Sequence, residues 1–390
     1  MKKLLAICLA IAVVILPIGC SQEKKELTLN DLFTKSQEMT YYETASTINL
    51  NVDANNIPDS DANVEMVLNY LKDFKIETTT KMKRNTNSTE VRGFVNLKPS
   101  IAGMTYSFDI WSDMNLNGDA PYMSFKAKIP EIFTAGFGIN EYLVLDTTKL
   151  GDSGIEGLSE MKEQIAKSSK LSEEIVPYVS KFLSKFEPPF DFFVKGEDRK
   201  VDDENVSVYT ISLDNEKLYE LLKYTLTEYI VDDEIINDTK ALLNKIAELT
   251  NEAVSEEEID DAFKQIKDGS ADITNVLEKI KGMELLGEKG INIEFLVNKK
   301  GFVVGEKVDV DIAINFEKVM NMISQIPGEE ISDDIILEAK DAYMNITASI
   351  NTTYSNINAD MDVEIPETDE KNSTDIIDLI TMMSGLGEMM

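Results

Sequence analysis

The sequence predicts an α+β protein in which helices are inserted between the strand groups of one large, curved antiparallel sheet. Apolar and polar residues alternate strictly over several short segments, and two longer regions carry apolar residues at intervals of three and four positions. The alternation indicates strands with one buried and one solvated face, which is typical of antiparallel sheets. The longer spacing indicates amphipathic helices. We expect the helices to pack on the concave face of the sheet.

Six segments show the strand alternation most clearly. They are 48–52, 104–110, 123–129, 308–314, 344–350 and 357–365. In the last of them, apolar residues occupy every second position from Ile357 to Ile365. Turns with Gly and Asn, such as Asn117-Gly118, indicate that several strands are joined by hairpins.

The helical regions are predicted at 155–187 and 216–283. The first ends before Pro188-Pro189, because proline cannot continue a helix, and the second has the length of three or four helices. The apolar stripes of both regions include five aromatic residues: Tyr178, Phe182, Phe186, Tyr219 and Tyr224. Their spacing favours packing in the core, with contact to a bound apolar molecule as the alternative.

An internal similarity links two segments about a hundred residues apart. Ile211–Leu222 and Ile312–Ile323 each combine the end of a strand with the start of a helix. Asp214 and Asn315 stand at the junctions, where such residues cap helix N-termini. The similarity predicts a repeated strand-to-helix corner. It divides the predicted domain, residues 27–366, into two related halves, 27–213 and 214–366.

The N-terminus has the pattern of a bacterial lipoprotein signal. Two lysines precede an apolar run from Leu4 to Ile18, which is shorter than the about 20 residues of a membrane-spanning helix. Gly19-Cys20 resembles the end of a lipobox, although Pro17 stands where such motifs usually carry Leu. We expect residues 1–19 to be a signal peptide, Cys20 to carry the lipid, and 20–26 to be a tether. Residues 367–390 are expected to be a tail.

Composition excludes several functions. The chain has a formal net charge of −33, and a protein that repels polyanions is not expected to bind nucleic acid. It has no histidine, and its two cysteines are Cys20 and Cys8 of the signal. The common zinc and copper sites and the imidazole-based nucleophile arrangements are therefore absent. The sequence predicts a non-enzymatic protein without a cofactor or a metal.

Two sets of acidic residues require a comparison of alternatives. Asp113, Asn115 and Asn117-Gly118 match the first half of a calcium loop, but Ser124 stands where the closing Glu belongs. The residues therefore favour a hairpin turn. Acidic runs such as Asp232-Asp233-Glu234 are typical of solvated helix ends. Trp111 alternates out of phase with Phe108 and Ile110, which places it at a sheet edge or in a ligand cavity.

The pattern as a whole resembles the LolA/LolB and LppX-like envelope lipoproteins. The segments Phe108–Asn115, Lys128–Pro130 and Tyr142–Asp146 are similar to segments of uncharacterised clostridial-type surface lipoproteins. The first resemblance implies a half-barrel with an apolar cavity for acyl chains. We expect a lipoprotein anchored through Cys20 to the outer face of the bacterial cell membrane, which binds a lipid or another apolar ligand. The alternative is an envelope structural or adhesion protein that acts through protein contacts.

Overall fold

The computed structural model describes most of the chain after residue 26. The described residues are 27–57, 62–86, 88–101, 103–117, 122–134, 138–148, 174–201, 203–250, 256–268, 270–324, 332, 336–337 and 339–379. The predicted signal peptide and the whole predicted tether, 20–26 with Cys20, lie outside them, as do 155–173 of the first predicted helical region and 380–390 of the tail.

Fourteen strands of the described residues form one large, open sheet, which is antiparallel apart from one edge. The strands are Tyr41–Asn55 (β1), Phe74–Arg84 (β2), Glu90–Ile101 (β3), Met104–Thr105 (β4), Phe108–Asn115 (β5), Tyr122–Lys128 (β6), Tyr142–Asp146 (β7), Val194–Lys195 (β8), Arg199–Val201 (β9), Glu204–Leu213 (β10), Leu286–Val297 (β11), Val303–Asn315 (β12), Tyr343–Ser355 (β13) and Ser373–Asp375 (β14). The predicted α+β class with an antiparallel sheet is confirmed.

Two meanders make up the sheet. The N-terminal meander has the order β1-β2-β3-β5-β6-β7, and the C-terminal meander has the order β10-β11-β12-β13. They meet where β1 pairs with β13 over thirteen residue pairs, from Glu43↔Ser355 to Asn55↔Tyr343. The first and last long strands therefore lie side by side in the middle of the sheet. β10 belongs to the C-terminal meander, whereas the division suggested by the internal similarity placed it in the first half.

Most of the helices come from the segments between these strands. They are Leu29–Gln37 (α1), Ala62–Leu71 (α2), Glu131–Thr134 (α3), a helix that includes 174–185 (α4), Asn215–Tyr224 (α5), Asp233–Thr250 (α6), Glu256–Asp268 (α7), Ser270–Lys281 (α8) and Phe316–Ile323 (α9). One π-helical turn, Thr225–Tyr229, follows α5 directly. The predicted helical region 216–283 is thus a succession of α5 to α8, and α4 ends before Pro188 as predicted.

Both predicted helix caps are confirmed. The side chain of Asp214 accepts a hydrogen bond from the backbone amide of Lys217 at 2.8 Å, at the start of α5. Asn315 does the same for Lys318 at 2.9 Å, at the start of α9. A carboxylate or amide oxygen at this position satisfies an amide that has no partner within the helix.

The prediction of a strand over 357–365 is wrong. The backbone from 357 to 369 forms turns and irregular structure. Because β13 already pairs with β1 on one side and β12 on the other, the chain that leaves it has no free edge to join. It crosses the sheet instead, and Ser373–Asp375 then pairs in parallel with β7 at the far edge. We call residues 356–372 the crossing segment.

Candidate functional site

Strand register places the alternating apolar residues of both meanders on one face of the sheet. In the middle of this apolar face, Ile48 of β1 lies across from Ile350 of β13 on one side and Ile76 of β2 on the other. Ile350 in turn lies across from Val308 of β12. Directly paired residues share a face, so the four strands form a continuous apolar row.

Helices bury the end of the apolar face that β10 forms, whereas Val308, Ile350 and Ile48 in the middle of the face are only partly buried. Ile211 and Leu213 of β10 join one cluster with Leu221 of α5 and with Phe186 and Phe192, which follow α4. Ile211, Leu221 and Phe186 are each at most 2% exposed. Tyr219, in contrast, packs with α8 through Leu277. Core packing is therefore the role of Phe186 and Tyr219, and Phe182 and Tyr224 pack against the same cluster as Phe186.

The part that belongs to the N-terminal meander is much less covered. Phe125 of β6 is 38% exposed, and Phe133 of α3 is 48% exposed, although its ring stacks on Phe108 at 5.7 Å. Ile132 and Met104, near the same end of the sheet, are more than half exposed. Large apolar side chains that remain open to solvent, such as Phe133 and its neighbour Ile132, are typical of binding sites when they form a patch.

A row of hydroxyl groups crosses the middle of the apolar face. Ser46 of β1 lies across from Thr352 of β13 and from Thr78 of β2. The hydroxyls of Ser46 and Thr352 are 2.9 Å apart and share a hydrogen bond. The isoleucine row lies two residues along each strand, which is about 7 Å away. The face therefore changes from apolar to polar along the strand direction.

Glu306 of β12 ends this polar row. It lies across from Thr352 on one side and from Phe295 of β11 on the other. On the paired positions of β2, β1, β13 and β12, this face carries two charged residues, Glu306 and Arg84. Arg84 lies at a strand end and donates hydrogen bonds to the backbone oxygens of Ser36 and Met39. Glu306, in contrast, lies in the interior of the face, away from the strand ends.

The environment of Glu306 is unusual for a carboxylate. Among the described residues, no hydrogen bond or ion pair reaches its side chain, and burial raises its pKa. Tyr354 lies diagonally across from it on β13, and its ring is 6.3 Å from that of Tyr42 on β1. Burial, and then the charge of Glu306, raises the pKa of Tyr354 to about 12.

The opposite face is polar and carries the crossing segment. Asp362 of this segment forms ion pairs with Lys83 of β2 and Arg92 of β3, each at 3.4 Å. Val363 is 3% exposed, and the Lys126 ammonium donates a hydrogen bond to the backbone oxygen of Pro366. Trp111 lies on this face between Phe94 and Tyr142, with ring distances of 5.3 and 5.9 Å. The sequence placed Trp111 correctly out of phase with Phe108.

The half-matched calcium pattern is part of a hairpin between β5 and β6, although its turn residues 118–121 lie outside the described part. Asp113 faces Arg92 at 3.5 Å and accepts a hydrogen bond from the Tyr122 hydroxyl. Asn115 accepts a hydrogen bond from the backbone amide of Asn117. Asp232, from one of the acidic runs, accepts hydrogen bonds from the first amides of α6. These contacts give each acidic group a structural role.

Sequence reasoning missed Glu306. The sequence does contain the necessary information. Glu306 lies two residues before Val308 and continues the alternation of Val308, Val310 and Ile312, so it faces the same side of the strand. A charged residue in the phase that faces the core is the exception that deserves a functional explanation.

Comparison with known proteins gives no family for this chain. The sequence matches no model of a protein family and no curated protein. No helix in the described part of the chain is long and apolar enough to cross a membrane.

Proposed function

We propose that the protein is an extracytoplasmic lipoprotein, anchored through Cys20, that binds a lipid or another apolar ligand on the apolar face of its sheet. It acts without catalysis, cofactor or metal. The curvature of the sheet into a half-barrel, as in LolA-like proteins, is part of this proposal. The supporting observation is the unequal coverage of the apolar face, which helices bury at β10 and leave half open at β5 and β6.

Energetics support this assignment. Exposed apolar surface costs about 25 cal/mol per Å² relative to burial, and a soluble protein rarely keeps a wide apolar patch without a use for it. The polar row beside the isoleucine row also matches an amphiphile, whose tail and headgroup require different surroundings. Ligand sites of this kind combine an apolar lining with a few polar groups.

Native mass spectrometry tests the binding. The mature chain with Cys20→Ser, purified without detergent, should carry bound lipid or take it up from added lipid at defined stoichiometry. A chain that stays free of lipid in both conditions would exclude this function.

Metabolic labelling tests the anchor separately. Radioactive palmitate should label the full-length chain and leave the Cys20→Ser variant unlabelled. An unlabelled wild-type chain that stays in the cytosol would overturn the proposed location.

The exposed apolar end of the face also supports the alternative, an envelope structural or adhesion protein. Ile132 is 67% exposed on α3, next to Phe133, and such side chains are common anchors at protein interfaces. Pull-down from a surface extract should then recover a partner with the wild type and lose it with Ile132→Asp. Lys98→Asp, at an exposed position on the opposite face of β3, serves as the control.

A further inference from the structure

The position of Glu306 calls for a functional explanation. Apart from Arg84 at the end of β2, the other paired positions of this face on β2, β1, β13 and β12 are apolar or carry uncharged hydroxyls. A carboxylate that is partly buried without a partner destabilises the folded protein. The cations Lys83 of β2 and Arg92 of β3 lie on the other face, where they bind Asp362. Among the described residues, the fold supplies no cation for Glu306.

Aromatic rings lie on both sides of this carboxylate. Phe295 is its direct partner on β11, and Tyr354 is its diagonal neighbour on β13. Side chains in diagonal positions are within reach of each other when one of them is aromatic. Tyr42 extends the aromatic surface, with its ring tilted by 50° against that of Tyr354. Rings around an ammonium group are the usual surroundings of bound quaternary amines.

The hydroxyl row and the isoleucine row determine how an amphiphilic ligand can be oriented on this face. From Glu306, the row through Thr352 and Ser46 remains polar, whereas Val308 and Ile350 begin the apolar surface about 7 Å away. A ligand that places a charged head beside Glu306 can therefore lay its hydrocarbon chain over the isoleucines. An anionic head would be repelled by the carboxylate at the same place.

We propose that Glu306, together with Tyr42 and Tyr354, is the headgroup subsite for an amphiphile that carries an ammonium group. The proposal rests on the proposed function, since it names the class of ligand that the apolar face would bind. The ammonium would neutralise the carboxylate with the Tyr354 ring beside it and Tyr42 behind that ring. The neighbouring rows would hold the polar linkage and the chain. A lipid headgroup and a free organic amine share this chemistry.

Three compounds distinguish a lipid headgroup from a free organic amine. Dodecyltrimethylammonium has both the charge and the chain, dodecyl maltoside has the same chain without the charge, and tetramethylammonium has the charge without the chain. Binding is measured by titration calorimetry below the micelle concentration, with the mature chain carrying Cys20→Ser. The variants are Glu306→Gln, which removes the charge with little change in shape, and Glu77→Gln. Glu77 lies on the polar face and pairs with Lys75, so its variant is the matched control.

We expect dodecyltrimethylammonium to bind at least about tenfold more tightly than dodecyl maltoside. Glu306→Gln should abolish this preference, while Glu77→Gln keeps it and both variants bind dodecyl maltoside as the wild type does. Circular dichroism confirms that the variants are folded.

Equal binding of the two dodecyl compounds in the wild type, or a preference that survives Glu306→Gln, would overturn the subsite and leave the proposed function standing. If neither dodecyl compound bound to the wild type, both the subsite and the proposed function would be contradicted. Tetramethylammonium binding as tight as that of dodecyltrimethylammonium would support a cation subsite for a free amine and contradict an apolar ligand.

Discussion

Glu306 and Tyr354 lie diagonally across from each other on neighbouring strands, within the apolar face of the sheet. Burial raises the pKa of both side chains, and the carboxylate adds to the effect on the tyrosine. At neutral pH the phenol is uncharged in either place, whereas the carboxylate would be better solvated at the surface. The cost of partly burying this carboxylate gives the first prediction.

Glu306→Gln should stabilise the protein at pH 7. The folded state holds the Glu306 proton more tightly than the unfolded state, whose pKa is near 4.5. Stability is therefore lost as the pH rises from that value through the raised folded pKa. The variant lacks this loss, so urea unfolding should show it more stable at pH 7 and equal to the wild type at pH 3.5. A variant that is less stable at pH 7 would show that the carboxylate has a favourable partner.

Glu43→Gln should have the opposite effect. Glu43 of β1 accepts hydrogen bonds from the Tyr41 hydroxyl at 2.7 Å and the Asn356 amide at 3.0 Å, and the first of these contributes most to the lowering of its pKa. A lowered folded pKa stabilises the protein above the ordinary carboxyl value and ceases to do so as the pH falls through the folded value. We expect a loss of about 1–2 kcal/mol at pH 7 and a smaller loss at pH 3.5, by urea unfolding. An unchanged stability at pH 7 would contradict the role of these bonds.

The attachment of the crossing segment to the sheet should depend more on the burial of Val363 than on the ion pairs of Asp362. Val363→Ala removes two methyl groups from a buried position and should cost about 1–2.5 kcal/mol. Asp362→Asn breaks two ion pairs between groups that are about half exposed, which should cost less than about 1 kcal/mol. Urea unfolding measures both values. A larger loss for Asp362→Asn would mean that charge, rather than burial, holds the segment on the sheet.

The two helix caps should differ in their importance. α5 buries Tyr219, Leu221 and Leu222, whereas α9 buries no residue. Asp214→Ala should therefore lower the global free energy of unfolding by about 1 kcal/mol. Asn315→Ala should mainly increase hydrogen exchange within α9, with little change in global stability. Asp214→Asn, which keeps a capping oxygen, is the control. Equal global losses for both alanine variants would contradict the different burial of the two helices.

The sequence predicts those parts of the fold that depend on neighbouring residues and not those that depend on contacts between distant residues. The faces of β1, β12 and β13 are readable because their alternation is strict and local. β2 was not predicted, because threonines stand where apolar residues would mark the inner face. Pairing of β1 with β13 joins residues about 300 positions apart, and alternation carries no information on partners. The segment 357–365 has the strand pattern, but the neighbours of β13 leave it no edge.

The site was predictable in part. The apolar surface follows from the same alternation, and the caps Asp214 and Asn315 follow from residue type at a strand-to-helix junction. The position of Glu306 diagonally across from Tyr354, with Tyr42 next to Tyr354, depends on the register of three strands. This register becomes known only when the sheet is assembled.

Two neighbouring residues allow the most direct test of ligand binding on the apolar face. Phe125 and Lys126 of β6 are adjacent in sequence and point to opposite faces. In chains that carry Cys20→Ser, a polarity-sensitive fluorophore is attached to Phe125→Cys or to Lys126→Cys, and each is titrated with a long-chain amphiphile. We predict a saturable blue shift at position 125 and none at position 126. No shift at position 125, or equal shifts at both positions, would contradict ligand binding on the apolar face.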